Sequence, residues 1–170
     1  DNAQLLCLLA YTDADADDPA FADRAGEIVA WLARDMTVES GAFASSLDAD
    51  SEGGEGAFYT WRHTEIEAVL GPQDAGWFLR FHPLAAPSNW EGDPILTAAE
   101  AAPDPEERAR LAGLRRRLLE ERAHRPPPGR DDKVVTEWNG LMITALATAA
   151  RRFARPDWLA MARNAFHAIL

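Results

Sequence analysis

The chain has 170 residues, of which 47% are apolar, with a mean hydropathy of −0.28 and a net charge of −11. That length supports one domain with a substantial core, and no apolar run nears the ~18 residues a membrane-spanning helix needs. Its 28 carboxylates against 17 cations repel phosphate backbones, so neither nucleic acid nor membrane is an expected partner.

In chain order, the first ten or so residues are apolar and helical in character, and they end in an acidic loop from Thr12 to Asp18. Asp18-Pro19 then reads as an N-cap followed by proline at the first helical position. Phe21, Ala25, Ile28, Val29, Leu32 and Met36 recur at helical spacing and define one buried face. These two helices form an antiparallel hairpin.

Residues 42–47 and 57–61 are short strand-like runs on either side of the turn-rich acidic stretch 48–56, which predicts a β-hairpin with an elaborated tip. Thr64 and Glu67 have capping-box spacing for a short helix ending at Gly71, and a second short helix is expected over 74–81. Residues 83–103 are irregular and rich in Pro, Ala and Gly. Asp104-Pro105 starts a helix whose stripe is Leu111, Leu114 and Leu118, and which carries Arg115, Arg116 and Arg117 on a solvated face. The Pro-rich segment 125–130 is a stiff connector to a helix over 134–153. Arg155-Pro156 breaks the chain before a last helix that keeps its apolar stripe to Leu170. The start at Asp1-Asn2-Ala3 inside a helical pattern, together with that unbroken final stripe, predicts a piece of a longer protein.

A single cysteine, Cys7, lies in a leucine run and reads as a small core residue, so neither an internal disulfide nor a cysteine metal cluster is expected. The four histidines lack ligand spacing. Asp48-x-Asp50-x-Glu52-Gly53 matches the opening of a calcium loop, yet its twelfth place is Tyr59 instead of glutamate, so no metal and no cofactor is expected. Asp48 and Asp50 stand two apart at a strand end and share a face. They are candidate acid/base groups of the kind sugar-active enzymes use in pairs, or else members of a solvated tip. Glu52, on the same tip, is a candidate substrate contact.

The richest cluster is Asp131-Asp132-Lys133, followed by Trp138-Asn139-Gly140. Lys133 is the sole lysine, and the other 16 cations are arginines. A compact ammonium retained in an arginine-biased chain points to a position a planar guanidinium cannot serve. Asp131 and Asp132 are candidate catalytic carboxylates, and Lys133 is a donor to a substrate oxygen. Trp138 and Trp61 are aromatic platforms for a sugar ring, and Asn139 is a hydroxyl-binding amide. Asp132 is equally suited to cap the helix, and Trp138 to enter the core.

Taken in order, Asp1-Asn2-Ala3-Gln4-Leu5, Leu47-Asp48-Ala49-Asp50-Ser51-Glu52-Gly53, Gly56-Ala57-Phe58-Tyr59-Thr60-Trp61, Arg125-Pro126, Asp131-Asp132-Lys133 and Trp138-Asn139-Gly140-Leu141-Met142 resemble the thioredoxin-domain-containing proteins similar to spermatogenesis-associated protein 20. The resemblance implies a mainly α fold. The helical hairpins would form part of an (α/α)6 toroid of the six-hairpin glycosidase type, with a small β-hairpin insertion. It implies one partial domain over residues 1–170, with an upstream thioredoxin-like domain and further hairpins lying outside it. The implied setting is cytoplasmic, and the implied ligand is a carbohydrate or another small molecule, acted on by hydrolysis or epimerisation. A binding or scaffold module beside a redox domain is the alternative. The resemblance supplies no established reaction, and residues 88–93 depart from its pattern.

Overall fold

The computed structural model describes residues 1–16, 19–51, 54–85, 94–99 and 104–170. Among these it is mainly helical, with seven α-helices and two small two-stranded sheets. The chain divides into two compact units, Asp1–Leu47 with Arg130–Leu170, and Asp48–Gly129. No helix among the described residues is long and apolar enough to cross a membrane.

The first unit contains α1 (Asn2–Ala16), α2 (Pro19–Trp31), α6 (Thr136–Arg152) and α7 (Pro156–Ile169). Helix α1 packs against both α2 and α6, and α6 against α7, so the expected helical pairs are present. Helix α1 runs four residues past the expected end at Tyr11-Thr12, because alanines alternate with the aspartates there and nothing breaks the helix before residue 16. Asp18, the expected cap of α2, lies outside the described residues, and Pro19 opens the helix as expected. The predicted face of α2 is the one buried, with Ala25, Val29, Leu32 and Met36 in the core beside Leu6, Leu146 and Trp158. Each fully buried leucine contributes about 1.5–3 kcal/mol relative to exposure. Cys7 packs at the edge of this core, and burial pushes its thiol pKa up.

Helix α2 does not end cleanly. It widens into a π-helical turn, Leu32–Met36, whose first carbonyl accepts from the Thr37 hydroxyl at 2.9 Å. A tight turn follows in which Gly41 takes φ +90°, a region that penalises a side chain. The chain then returns antiparallel, with Val38 N–H donating to Ala42 C=O and Ala44 N–H to Met36 C=O.

The strand pairing differs from expectation. Residues 42–47 do not pair with 57–61. Instead β1 (Ser46–Leu47) pairs with β4 (Arg130–Asp131). Inside the acidic loop a separate two-residue hairpin forms between β2 (Asp50–Ser51) and β3 (Gly54–Glu55). Residues 56–59 turn instead of extending: Gly56 takes φ +73°, and the N–H groups of Tyr59 and Thr60 return to its carbonyl at 2.9 Å and 3.3 Å. Arg125 donates to the carbonyls of Phe58 at 3.2 Å and Thr60 at 2.6 Å.

The second unit is built from α3 (His63–Leu70), α4 (Pro72–Phe78) and α5 (Pro105–Arg122). The capping glutamate of α3 is Glu65, whose carboxylate accepts from Arg62 N–H at 2.7 Å; the expected Thr64 and Glu67 lie inside the helix. Asp104 and Glu107 form the reciprocal cap of α5, and Leu111, Leu114 and Leu118 are buried against Ile66 and Phe78. The arginine run is more than a solvated face. Arg115 donates to His82 Nε2 at 3.1 Å, and Arg117 donates to the Val69 carbonyl at 2.5 Å, while Arg116 pairs with Glu120 at the surface.

Candidate functional site

Helix α6 starts at Thr136 with Val135 as its N-cap and no side-chain cap. Asp132 therefore does not cap it. Its carboxylate instead takes a short hydrogen bond from Arg130 Nε, and Arg130 Nη1 reaches the carbonyls of Asp35 at 3.1 Å and Thr37 at 3.4 Å. Arg130 thus ties β4 to the end of the π-helical turn.

Asp131 and Lys133 pair with each other. Lys133 Nζ lies 3.1 Å from Asp131 Oδ2, and the Lys133 N–H donates to Asp131 Oδ1 at 3.3 Å. Lys133, foremost through its side chain, holds the Asp131 carboxyl below its ordinary value of 3.8, and the Ser45 hydroxyl adds to that effect. Asp131 is therefore ionised at neutral pH, which suits a base or a charge-stabilising group and not a proton donor. The Lys133 side chain is 78% exposed, so the pair sits at the surface where solvent screens it. The Asp131 carbonyl accepts from both the N–H of Ser45 at 3.0 Å and its hydroxyl at 3.1 Å.

Ser45 links this pair to a cleft. A cavity of about 410 Å³ is lined by Asn2, Gln4, Trp31, Leu32, Met36, Phe43, Ser45, Trp138 and Leu141, among others. The walls come from α1, the π-helical turn, residues 43–45 and the first turns of α6. Trp138 is 53% exposed at this cleft, so of the two readings of Trp138 the structure has the accessible ring and not the core residue. Helical periodicity explains why: Asn139, Met142, Ala145 and Leu146 turn inward, and Trp138 and Leu141 turn out.

Asn139 occupies a different position from the one its residue type suggested. It is 2% exposed. Its Oδ1 accepts from Phe43 N–H at 2.8 Å, while Nδ2 donates to the carbonyls of Phe43 at 3.0 Å and Val135 at 3.1 Å. Both amide hydrogens are used, and the group joins two backbone segments.

The remaining candidates lie in the other unit. Asp48 N–H donates to the Gly129 carbonyl at 2.7 Å, and its Oδ1 accepts from Asp50 N–H at 3.3 Å, a local turn of the type aspartate favours. Trp61 is not a platform. It is 4% exposed inside the core with Ile66 and Phe78, and the Arg125 guanidinium lies over its ring at 4.2 Å. Glu52 lies outside the described residues. Among the described residues, no three His, Cys, Asp or Glu side chains are grouped to hold a metal ion.

Three groups carry no signal of their place in the residue pattern. Ser45 was hidden in a strand-like run, and Gln4 within a helical stripe; only the fold brings them to one cleft. Arg125 stood next to the proline run, and its place beside a buried tryptophan could not be read from spacing.

No family model matches the chain. Curated proteins do. The human protein is 33% identical over 181 aligned residues, covering 86% of this chain and 23% of the relative. The mouse protein is 30% identical and the rat protein 29%, covering 96% and 88% of this chain. The chain is similar to spermatogenesis-associated protein 20. The similarity is distant, and the chain spans about a quarter of the length of these curated relatives, 23–25%.

Proposed function

We propose that this chain is the ligand-recognising segment of a carbohydrate-active protein, in which α1–α2 and α6–α7 are two hairpins of an (α/α)6 toroid. A sugar ring would lie on Trp138, with its hydroxyls meeting Ser45 and the amides of Asn2 and Gln4. The single observation carrying this reading is the half-exposed Trp138 ring at a cleft whose polar lining combines the neutral Ser45, Asn2 and Gln4 with one acidic residue, Asp1. An aromatic face beside hydrogen-bonding side chains and a carboxylate fits a polyhydroxylated neutral ligand better than an anion or a purely apolar one.

In a hydrolase or an epimerase of this kind Asp131 would act at the rim as the ionised carboxylate, with Lys133 balancing negative charge as it develops. A hydrolytic reaction also needs a protonated carboxyl about 5–10 Å away, and Asp131 does not fill that role.

The second reading is a non-catalytic binding module attached to a thioredoxin-like domain. It is favoured by the exposure of Asp131, Asp132 and Lys133, whose charges are paired with one another or with Arg130. A thermal-shift screen of neutral monosaccharides and methyl glycosides on the full-length protein separates the two. The enzymatic reading expects a sugar that stabilises the parent, a loss of that shift in Trp138→Ala, and retained binding with lost turnover in Asp131→Asn. A sugar that stabilises the parent without being turned over would favour the binding module, turnover retained in Asp131→Asn would remove Asp131 from the chemistry, and the absence of any sugar-dependent shift would remove both.

A further inference from the structure

In an extended segment, alternate residues present their N–H and C=O groups to the same edge. Residues 42–45 follow that rule. Ala42 C=O and Ala44 N–H face the returning chain and bond to Val38 N–H at 2.9 Å and Met36 C=O at 2.8 Å. Ser45 N–H faces the opposite edge and donates to the Asp131 carbonyl at 3.0 Å, adjoining the pairing of β1 with β4. The next position on that edge belongs to Phe43. Among the described residues no strand reaches it, because the chain leaves β4 after Asp131 to begin α6.

The Asn139 side chain fills the position. Its carbonyl oxygen takes the Phe43 N–H at 2.8 Å, and its Nδ2 gives a hydrogen to the Phe43 C=O at 3.0 Å, the donor and acceptor a strand residue would offer. The second Nδ2 hydrogen goes to the Val135 carbonyl at 3.1 Å, which also receives the N–H of Asn139. The group is 2% exposed, so water does not substitute for either Phe43 bond.

We propose that Asn139 is the positioning residue of the cleft: its amide supplies the missing rung beside Phe43, and so locks the first turn of α6, which carries Trp138, in register with the segment that joins Ser45 to Asp131. Only the consequence for ligand binding rests on the carbohydrate reading; the lock is a property of the ligand-free protein. Without it the two walls are no longer tied. Trp138 loses its fixed setting, and Asp131 drifts from Ser45 and Lys133, although neither residue has been touched.

The test uses Asn139→Asp, which keeps the shape and reverses the donor half, and Asn139→Ser, which shortens the group. Asn139→Gln keeps the amide on a longer stem and replaces either variant if it fails to fold. Three NMR readouts are taken without ligand: hydrogen exchange at the Phe43 amide, the Trp138 indole resonance, and the Asp131 carboxylate titration. The expected result is faster Phe43 exchange, a displaced Trp138 indole signal, and an Asp131 midpoint raised toward the ordinary carboxylate value. A comparison variant, Trp158→Phe, loosens the α6–α7 core away from the lock and should leave Trp138 and Asp131 where they are. Unchanged Trp138 and Asp131 signals in folded Asn139 variants, or equal shifts in Trp158→Phe, would overturn the proposal. Failure of every glycoside to bind the parent would count against the carbohydrate reading and leave the lock standing.

Discussion

Residues 131–139 and 48–61 are alike in composition, each a set of carboxylates followed by a tryptophan, and they are built in opposite ways. In the first, the charges pair with one another at the surface, Asp131 with Lys133 and Asp132 with Arg130, and the aromatic ring is left open. In the second, the tryptophan is buried, and the cation that covers it, Arg125, also bonds the Thr60 carbonyl 65 residues away in sequence. The difference lies in the backbone. Residues 57–60 have no strand partner, so their carbonyls need a donor, and the guanidinium that supplies it also seals Trp61. Residues 136–139 satisfy their carbonyls within a helix, so Trp138 is free to face outward. A tryptophan beside a polar loop thus stays exposed where the loop's hydrogen bonds are met without it.

That contrast can be broken most directly at Trp61. Trp61→Ala should destabilise the second unit by about 3–5 kcal/mol, the range for removing a buried aromatic, as read by urea unfolding. A change below about 1 kcal/mol would mean the ring is not a core residue. Next comes Arg125→Ala, which strips donors from the 58 and 60 carbonyls and should lower stability by about 2–3 kcal/mol. It should also quicken amide exchange in 57–61. Trp138→Ala should change stability by no more than about 0.5 kcal/mol, as for an exposed side chain away from the core, while abolishing any sugar-dependent thermal shift. A large stability loss there would make the two tryptophans equivalent.

The smallest effect concerns pH. The folded Asp131 carboxyl lies below its ordinary value of 3.8, so on acidification the unfolded chain takes up its proton first. The contribution of the Lys133 pairing is whole above that value and is lost as pH falls through the lower folded one. Lys133→Met should raise the Asp131 midpoint toward its ordinary value in a carboxylate NMR titration. It should leave the melting temperature at neutral pH almost unchanged, since the pair is exposed. An unmoved midpoint would show that Ser45 and the backbone hold the proton off by themselves.

Much of the fold was legible because it is written locally. Prolines at the first helical position, the Asp104–Glu107 cap, and the Leu111, Leu114, Leu118 stripe each specify helix within a few residues. The Asp131-Asp132-Lys133 cluster was legible for the same reason, its members being adjacent, although the pairing of Lys133 with Asp131 was not specified. The pairing of Ser46 with Asp131 was not, because its partners are remote in sequence and only two residues long, leaving no periodic signal. Asn139 misled for a physical reason: an amide before a glycine on an amphipathic helix looks the same from the sequence whether it faces a ligand or an unpaired backbone edge. Helical phase separated Trp138 from Asn139, and that phase is set by which face packs on α1 and α7.

The proposed sugar binding depends above all on the open Trp138 ring. The decisive measurement is an NMR titration of the protein with neutral glycosides, following the Trp138 indole N–H assigned through Trp138→Phe. The prediction is a saturable shift of that resonance with at least one sugar, while the buried Trp158 indole stays still. A Trp138 signal that stays unmoved across the panel, or one that moves no more than Trp158, would contradict it.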